Sequence, residues 1–430
     1  MGEGFLTRLD IIMPRYTFRL IYLKMVWFLN WATYFRVIRI IKMSEPAKKC
    51  DSSPESYSPK IKPAIITIAE TAAERASDSQ TYSVKTADNG RYIDGVPMLN
   101  WGEWKDNTYC GAIALAAAVV GIPVSYEYLM GVSGLCYRFA MRPNWCPGSA
   151  LVQNGTVWDD SIYAALGLEL YSIPDAEQRD KRVMENLDAG RPVLCMGQIG
   201  PPEWGLLTGY AENGRTFFGR SYFDAQKTNP DSPFYSSDNI FHTQNRYRRA
   251  VDYPGTYPDC FVKFFDKPCR QKAPVELLTQ SLQACLEYFT HGEVNECRFG
   301  AAAYQILIDG LLKEEEEYKS FRRNENYHVG VLVDARRSAQ VYLEESAVLA
   351  GGSAGKKLLE IAALYRELCD GILAVVPYNR LSEQFAFNAG PEESWDRDTR
   401  VRLAAALREA VSIERSVQTV TKDVLRELVC

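Results

Sequence analysis

A cysteine at the head of an apolar helix is the residue of this chain best placed for covalent chemistry. The segment Asp106-Asn107-Thr108-Tyr109-Cys110-Gly111-Ala112 runs into the Ala-rich stretch CGAIALAAAVV, which stops at Gly121-Ile122-Pro123, the order in which Gly and Pro end helices. Asn107 or Thr108 can cap this helix, which leaves Cys110 in its first turn. Backbone N–H groups and the helix dipole favour a thiolate there, the form of cysteine that attacks carbonyl carbon. The ordinary alternative is a small apolar side chain in a core, where cysteine is common. A nucleophile also needs a base. The chain has only three histidines, His242, His291 and His328, so imidazole, the usual base, is scarce.

Other motifs carry less. Gly351-Gly352-Ser353-Ala354-Gly355-Lys356-Lys357 looks like a phosphate-binding loop, but Ala350 stands where the first Gly belongs and Lys357 where Ser or Thr must reach the metal. A flexible loop between helices is the expectation. Asn154-Gly155-Thr156 matches a glycosylation acceptor, without consequence where no secretion signal is seen. Eleven cysteines are scattered from Cys50 to Cys430 with no C-x-x-C pair. That argues for free thiols in a reducing, cytoplasmic compartment and against a structural zinc site. No metal or other cofactor is expected.

The elements that must position Cys110 are legible as periodicities. Four β-rich runs, Leu168 to Ile173, Pro192 to Ile199, Gly205 to Tyr210 and Arg215 to Phe223, are followed by a fifth, Cys260 to Phe265. Asn213-Gly214 supplies a hairpin signal between the third and fourth. One helix packed on a largely antiparallel sheet gives an α+β class. Beyond residue 270 the pattern turns helical: Leu278, Leu282, Cys285 and Phe289 recur at helical spacing, as do Leu403, Leu407 and Val411, then Val417, Val420, Val424 and Leu428. With Phe299 to Leu312, His328 to Leu349 and Leu358 to Val375, this predicts an all-α bundle of about five helices.

Composition frames these elements. At 430 residues, with 47% hydrophobic and 24% charged residues, the chain has globular usage and the length of two or three units. A formal net charge of -5 is too nearly balanced for a chain-wide nucleic-acid footprint, so no nucleic-acid partner is expected. Residues 1–43 form a basic, aromatic block, with Arg8, Arg15, Arg19, Lys24, Arg36, Arg39 and Lys42 against Glu3 and Asp10. Its longest uncharged run falls short of the roughly 20 apolar residues of a membrane span. Two readings stay open: an amphipathic segment on a membrane surface, the one membrane contact expected, or an extension upstream of a true start at Met43. Residues 44–94 read as a largely disordered lead-in, 95–270 as the α+β domain and 271–430 as the helical domain.

The order of motifs around the cysteine resembles a known family. The cysteine-led helix is followed by Tyr126-Glu127-Tyr128-Leu129-Met130-Gly131-Val132-Ser133-Gly134, by Asn144-Trp145-Cys146-Pro147, and by Gly200-Pro201-Pro202-Glu203-Trp204-Gly205-Leu206-Leu207-Thr208-Gly209-Tyr210. This resembles the papain-like fold of bacteriocin-processing peptidases. More narrowly it resembles proteins with the N-terminal domain of the butirosin-biosynthesis acyltransferase BtrH, in which a helical domain follows. Asp334-Ala335-Arg336-Arg337 through Ala347, and Ala362 through Leu368, fit that second domain. The resemblance covers roughly residues 95–375. It implies a cysteine-dependent acyltransferase or amide or thioester hydrolase, with a carrier-protein thioester as donor and a small amine as acceptor.

Carried over residue by residue, the family nucleophile falls on Cys110 and the third catalytic member on Asp224. The histidine position falls on Glu203, at the start of the strand led by Trp204. The glutamine six residues before the cysteine becomes Trp104, which leaves Asn107 as the nearest oxyanion donor. Three explanations of the missing histidine compete. Glu203 acts as the base, lifted toward neutrality by burial; His328 reaches across from the helical domain; or catalysis is lost and a ligand-binding module remains. Arg138, after the Gly131 to Gly134 turn, is a candidate anchor for a carboxylate or phosphate, and Trp204 a candidate ligand platform. Each has an ordinary alternative: a strand-edge acid for Glu203, a turn residue for Asp224, a surface charge for Arg138 and a core ring for Trp204.

Overall fold

The computed structural model describes residues 82–87, 89–122, 124–148, 158–198, 203–224, 240–242, 247–250, 262–319, 325–378 and 395–429. The basic block 1–43 and most of the lead-in 44–94 lie outside them.

The chain is a mixed α and β fold built on an antiparallel sheet. A hairpin comes first, β1 (Ser83–Ala87) and β2 (Gly90–Asp94), where the sequence reading placed the end of the lead-in. Lys85, Arg91 and Asp94 make this segment look like a linker, yet Tyr92 and Ile93 are buried and β2 pairs with a central strand. Helices α1 (Thr108–Val119) and α2 (Tyr126–Val132) follow, then the short strand β3 (Ala140–Met141), α3 (Trp158–Leu166), β4 (Leu168–Tyr171) and α4 (Ala176–Asp188). The sheet is completed by β5 (Val193–Met196), β6 (Trp204–Ala211), β7 (Thr216–Arg220), β8 (Ile240–His242), β9 (Tyr247–Arg249) and β10 (Val262–Pro268).

Strand order is β4-β10-β5-β6-β7-β9-β8, with β2 also on β6 and β1 on β2. Every pair is antiparallel, with Met196 opposite Trp204 and Leu206 opposite Arg220. Side-chain alternation sorts the strands onto two faces. Val193, Cys195, Leu207 and Phe218 share a core cluster with Val183 and Leu187 of α4. Leu194 instead meets Ile113, Ala116 and Ala117 of α1, together with Leu168 and Phe265. Small side chains on α1 let it sit close to the sheet. The expected single helix on the sheet is thus corrected: α4 also packs on it, through Val183 and Leu187, and it is hard to read from the sequence because Val183, Met184 and Leu187 are the only large apolar side chains in its polar run.

The second half begins with α5 (Pro274–Thr290) and is helical but not all-α. A hairpin, β11 (Glu293–Val294) and β12 (Cys297–Phe299), precedes α6 (Gly300–Leu311), and β12 pairs with β3 from the first half. After the one-turn α7 (Glu315–Tyr318) come α8 (Glu325–Ala350), α9 (Gly352–Leu373) and α10 (Arg397–Val429). The phosphate-loop look-alike is the break between α8 and α9: Gly351 and Gly352 have φ of 62° and 51°, and Ser353 to Lys357 already belong to α9, so the flexible loop shrinks to a sharp turn.

The expected boundary near residue 270 falls between β10 and α5, yet both halves lie in one compact unit, Pro63–Cys430. Arg336 helps to join them: its Nη1 donates to the Cys136 carbonyl of the first half at 2.9 Å, while its Nε donates to Glu414 Oε1 at 2.6 Å within the second. The eight described cysteines are free thiols. No described helix is long and apolar enough to cross a membrane.

Candidate functional site

Of the two capping candidates, Asn107 and Thr108, it is Asn107 that caps α1: its Oδ1 accepts the Cys110 backbone N–H at 3.0 Å. That bond consumes the amide best placed to stabilise an oxyanion at the Cys110 carbonyl target. Asn107 therefore turns its acceptor to the helix, and its own N–H donates to the Tyr126 hydroxyl at 2.9 Å. Gly111 follows Cys110 for a steric reason. A Cβ there would lie 1.9 Å from the Tyr222 hydroxyl oxygen, which donates to the Lys105 carbonyl at 2.7 Å.

Cys110 itself is fully buried. Burial pushes its thiol well above the ordinary 9.0, the charges of Asp334 and Asp159 add to the rise, and a hydrogen bond with Ser133 opposes it. None of these groups is a cation. The thiolate that the helix terminus would favour is thus outweighed by desolvation. The lid over this turn comes from α2 and α8: Tyr126 donates its hydroxyl to Asp334 Oδ2 at 2.5 Å, and Asp334 is 1% exposed. Burial and the neighbouring Asp106 hold the Asp334 carboxyl well above 3.8.

Glu203, just before β6, lies half-buried beside the same turn of α1. Its Oε2 accepts the Thr108 hydroxyl at 2.8 Å, and Thr108 Oγ1 accepts the Trp204 N–H at 3.3 Å. Burial lifts the Glu203 carboxyl from 4.5 to about 7, against the opposing Thr108 hydrogen bond. That meets the condition a proton-transfer role requires. Tyr327 at the start of α8 shares this environment: burial and the Glu203 charge raise its phenol well above 10.0, and Arg138 opposes them. Thr108 and Glu203 thus form a hydrogen-bonded polar pair whose charge is felt by Tyr327 of α8.

The other expected site residues have different work. His328, offered as a base, is 2% exposed, and burial pushes it down to about 4. Its Nε2 lies 2.9 Å from the Trp145 carbonyl; a carbonyl only accepts, so Nε2 carries the proton and pins the 140s loop. Its neighbour Tyr327, not the histidine, senses Glu203. Asp224 is fully buried beside Arg220, 3.8 Å away, and Arg220 in turn donates to the Val96 carbonyl at 2.8 and 2.6 Å. This ties the chain after β2 to the end of β7. Trp204 is a core ring, 4.9 Å from Tyr109, with the Lys263 ammonium 5.4 Å from its centroid. Lys263 Nζ and the Tyr109 hydroxyl both reach Asp159, at 2.7 and 2.5 Å. The Arg138 guanidinium lies 5.7 Å from the Phe299 ring centroid.

Sequence reading passed over Asp106, Asp334, Tyr126 and Tyr327. The one available signal was Asp334 inside an otherwise apolar run of α8. Asp106 is 2% exposed, and burial lifts it from 3.8 to about 6 against hydrogen bonds from Gly102 and Tyr378. Compared with known proteins, the chain matches no protein-family profile and no curated sequence.

Proposed function

We propose that the chain is a small-molecule-binding module on a papain-like frame, in which Cys110 is a structural thiol and Glu203 is the ligand-facing acid. The observation that carries this reading is the state of Cys110: fully buried, surrounded by acids, its thiol raised and its N–H spent on the Asn107 cap. A cysteine enzyme needs the reverse of each. What the site offers is a half-buried carboxyl balanced near neutrality, with the Thr108 hydroxyl bonded to it and its charge felt by Tyr327. The ligand class that suits such a group is a small amine, whose ammonium pairs with the ionised carboxyl as it gives up its proton. Binding of a protonated amine then releases a proton below pH 7 and tightens as pH rises through about 7.

Titration calorimetry with cyclohexylamine and ethanolamine, in buffers of differing ionisation heat, tests this. The reading expects saturable binding with proton release, lost in Glu203→Gln and kept in Cys110→Ala. Binding unaffected by Glu203→Gln, or abolished by Cys110→Ala, overturns it.

One observation favours a second reading, that of a cysteine acyltransferase: Glu203 at about 7 is suited to take the Cys110 proton as sulfur attacks a thioester carbonyl and the donor thiol leaves. That route requires the Asp334 and Tyr126 cover to move. Rapid acyl-enzyme formation on Cys110 with a synthetic aryl thioester would decide for it.

A further inference from the structure

The loop that leads into α1 carries a second recognition surface, and the chain's own Tyr378 occupies it. Trp104 has a φ of 58°, a left-handed conformation that costs a bulky residue energy and persists only where surrounding structure demands it. In that conformation its indole lies flat against the Tyr378 ring, with centroids 3.5 Å apart and planes 6° from parallel. The phenol oxygen is recognised in both its roles. It accepts the Trp104 backbone N–H at 2.9 Å and donates to Asp106 Oδ2 at 2.7 Å. Asp106 is fixed for this work because its Oδ1 accepts the Gly102 N–H at 2.7 Å. The Arg337 guanidinium carbon lies 4.9 Å from the Trp104 centroid, and Arg337 Nη1 donates to Glu127 at 3.3 Å. The loop is thereby anchored from α8 independently of Tyr378.

A flat aromatic face, one donor and one buried acceptor set for a single hydroxyl make up a phenol site. Trp104 and Tyr378 are only half-buried, whereas Asp106 behind them is buried. Tyr378 reaches the site as the second residue after the fully buried Val376, just past the end of α9.

We propose that this is a binding site for phenol-bearing small molecules, held shut by Tyr378 as a tethered occupant. A tethered ring competes at an effective concentration of roughly millimolar or more, so a free phenol enters the intact protein poorly and enters readily once the ring is gone. Selectivity over a plain phenyl ring follows from Asp106, since a ligand without the hydroxyl leaves a buried acceptor unpaired. The inference stands apart from the Glu203 reading and uses none of its residues.

The test is ligand-observed NMR and calorimetry on the full chain with N-acetyl-tyrosinamide and N-acetyl-phenylalaninamide. Tyr378→Ala is expected to bind the tyrosine compound at least tenfold tighter than the parent does, and at least tenfold tighter than it binds the phenylalanine compound. Trp104→Leu in the Tyr378→Ala background is expected to remove that binding. Equal affinity in parent and Tyr378→Ala, or no preference for the hydroxyl, overturns the proposal. Tyr378→Phe keeps the stacked ring and serves if the alanine variant does not fold: a measurable gain in affinity for the tyrosine compound over the parent supports the site, and no gain refutes it.

Discussion

Replacing Glu203 by Gln isolates the electrostatic state of the site. The native protein holds this carboxyl at about 7 against an ordinary 4.5, so it binds a proton that the unfolded chain releases. The favourable contribution of the protonated group is fully present below about 4.5 and is lost as pH rises through about 7. The gap corresponds to about 3 kcal/mol. Glutamine is neutral throughout and keeps an oxygen to accept the Thr108 hydroxyl. Glu203→Gln is therefore expected to be more stable than the parent by up to about 3 kcal/mol at pH 8, the advantage shrinking toward zero near pH 4. Urea unfolding followed by circular dichroism at the two pH values measures this, provided the slope with denaturant is unchanged. Asp106 and Asp334 titrate in both proteins and cancel in the comparison. A stability difference independent of pH, or a variant less stable at pH 8, would refute the assignment of a desolvated, uncompensated carboxyl.

Other consequences concern the seam between the halves. Glu414→Gln takes the charge from beneath the buried Arg336 and is expected to cost about 3 to 5 kcal/mol in chemical denaturation; a loss below about 1 kcal/mol would mean that the pair is solvated or replaceable. His328 is expected to show one Nε2–H tautomer and no titration between pH 5 and 8 in nitrogen-15 NMR, given its displacement to about 4, whereas a transition near 6.5 would show the ring to be exposed. A Cβ on Gly131 would lie 2.0 Å from the Tyr342 ring. Gly131→Ala should therefore destabilise by about 1 to 3 kcal/mol through overpacking of α2 on α8, and Tyr342→Leu in the same chain should restore part of the loss, as read by thermal melting.

What could be read from the sequence was local. The α1 cap, its stop at Gly121 and the strands from β4 to β7 follow from short-range rules of capping, alternation and turn chemistry, and the Asn213-Gly214 signal lies in the β6–β7 connection with φ of 57° and 88°. The hairpin β1–β2 was hidden because it is polar on its outer face and is held by β6, far along the chain. The site was legible only as separate residues. Whether Cys110 is a thiolate or a buried thiol depends on Ser133, Asp159 and Asp334, which α2, α3 and α8 bring together through tertiary packing that no spacing records. His328 and Tyr327 are adjacent in sequence, yet the turn of α8 sends the histidine to Trp145 and leaves the tyrosine to sense Glu203.

The central claim is that Cys110 is an enclosed thiol. Its alkylation by iodoacetamide, followed site by site by mass spectrometry from pH 6 to 10 with the exposed Cys269 as internal reference, tests this directly. The account predicts that Cys110 labels far more slowly than Cys269, with no midpoint below its ordinary 9.0, and that Glu203→Gln and His328→Ala leave its rate unchanged. Fast labelling of Cys110 with a midpoint well below 9.0, shifted by either substitution, would contradict it and identify a working nucleophile.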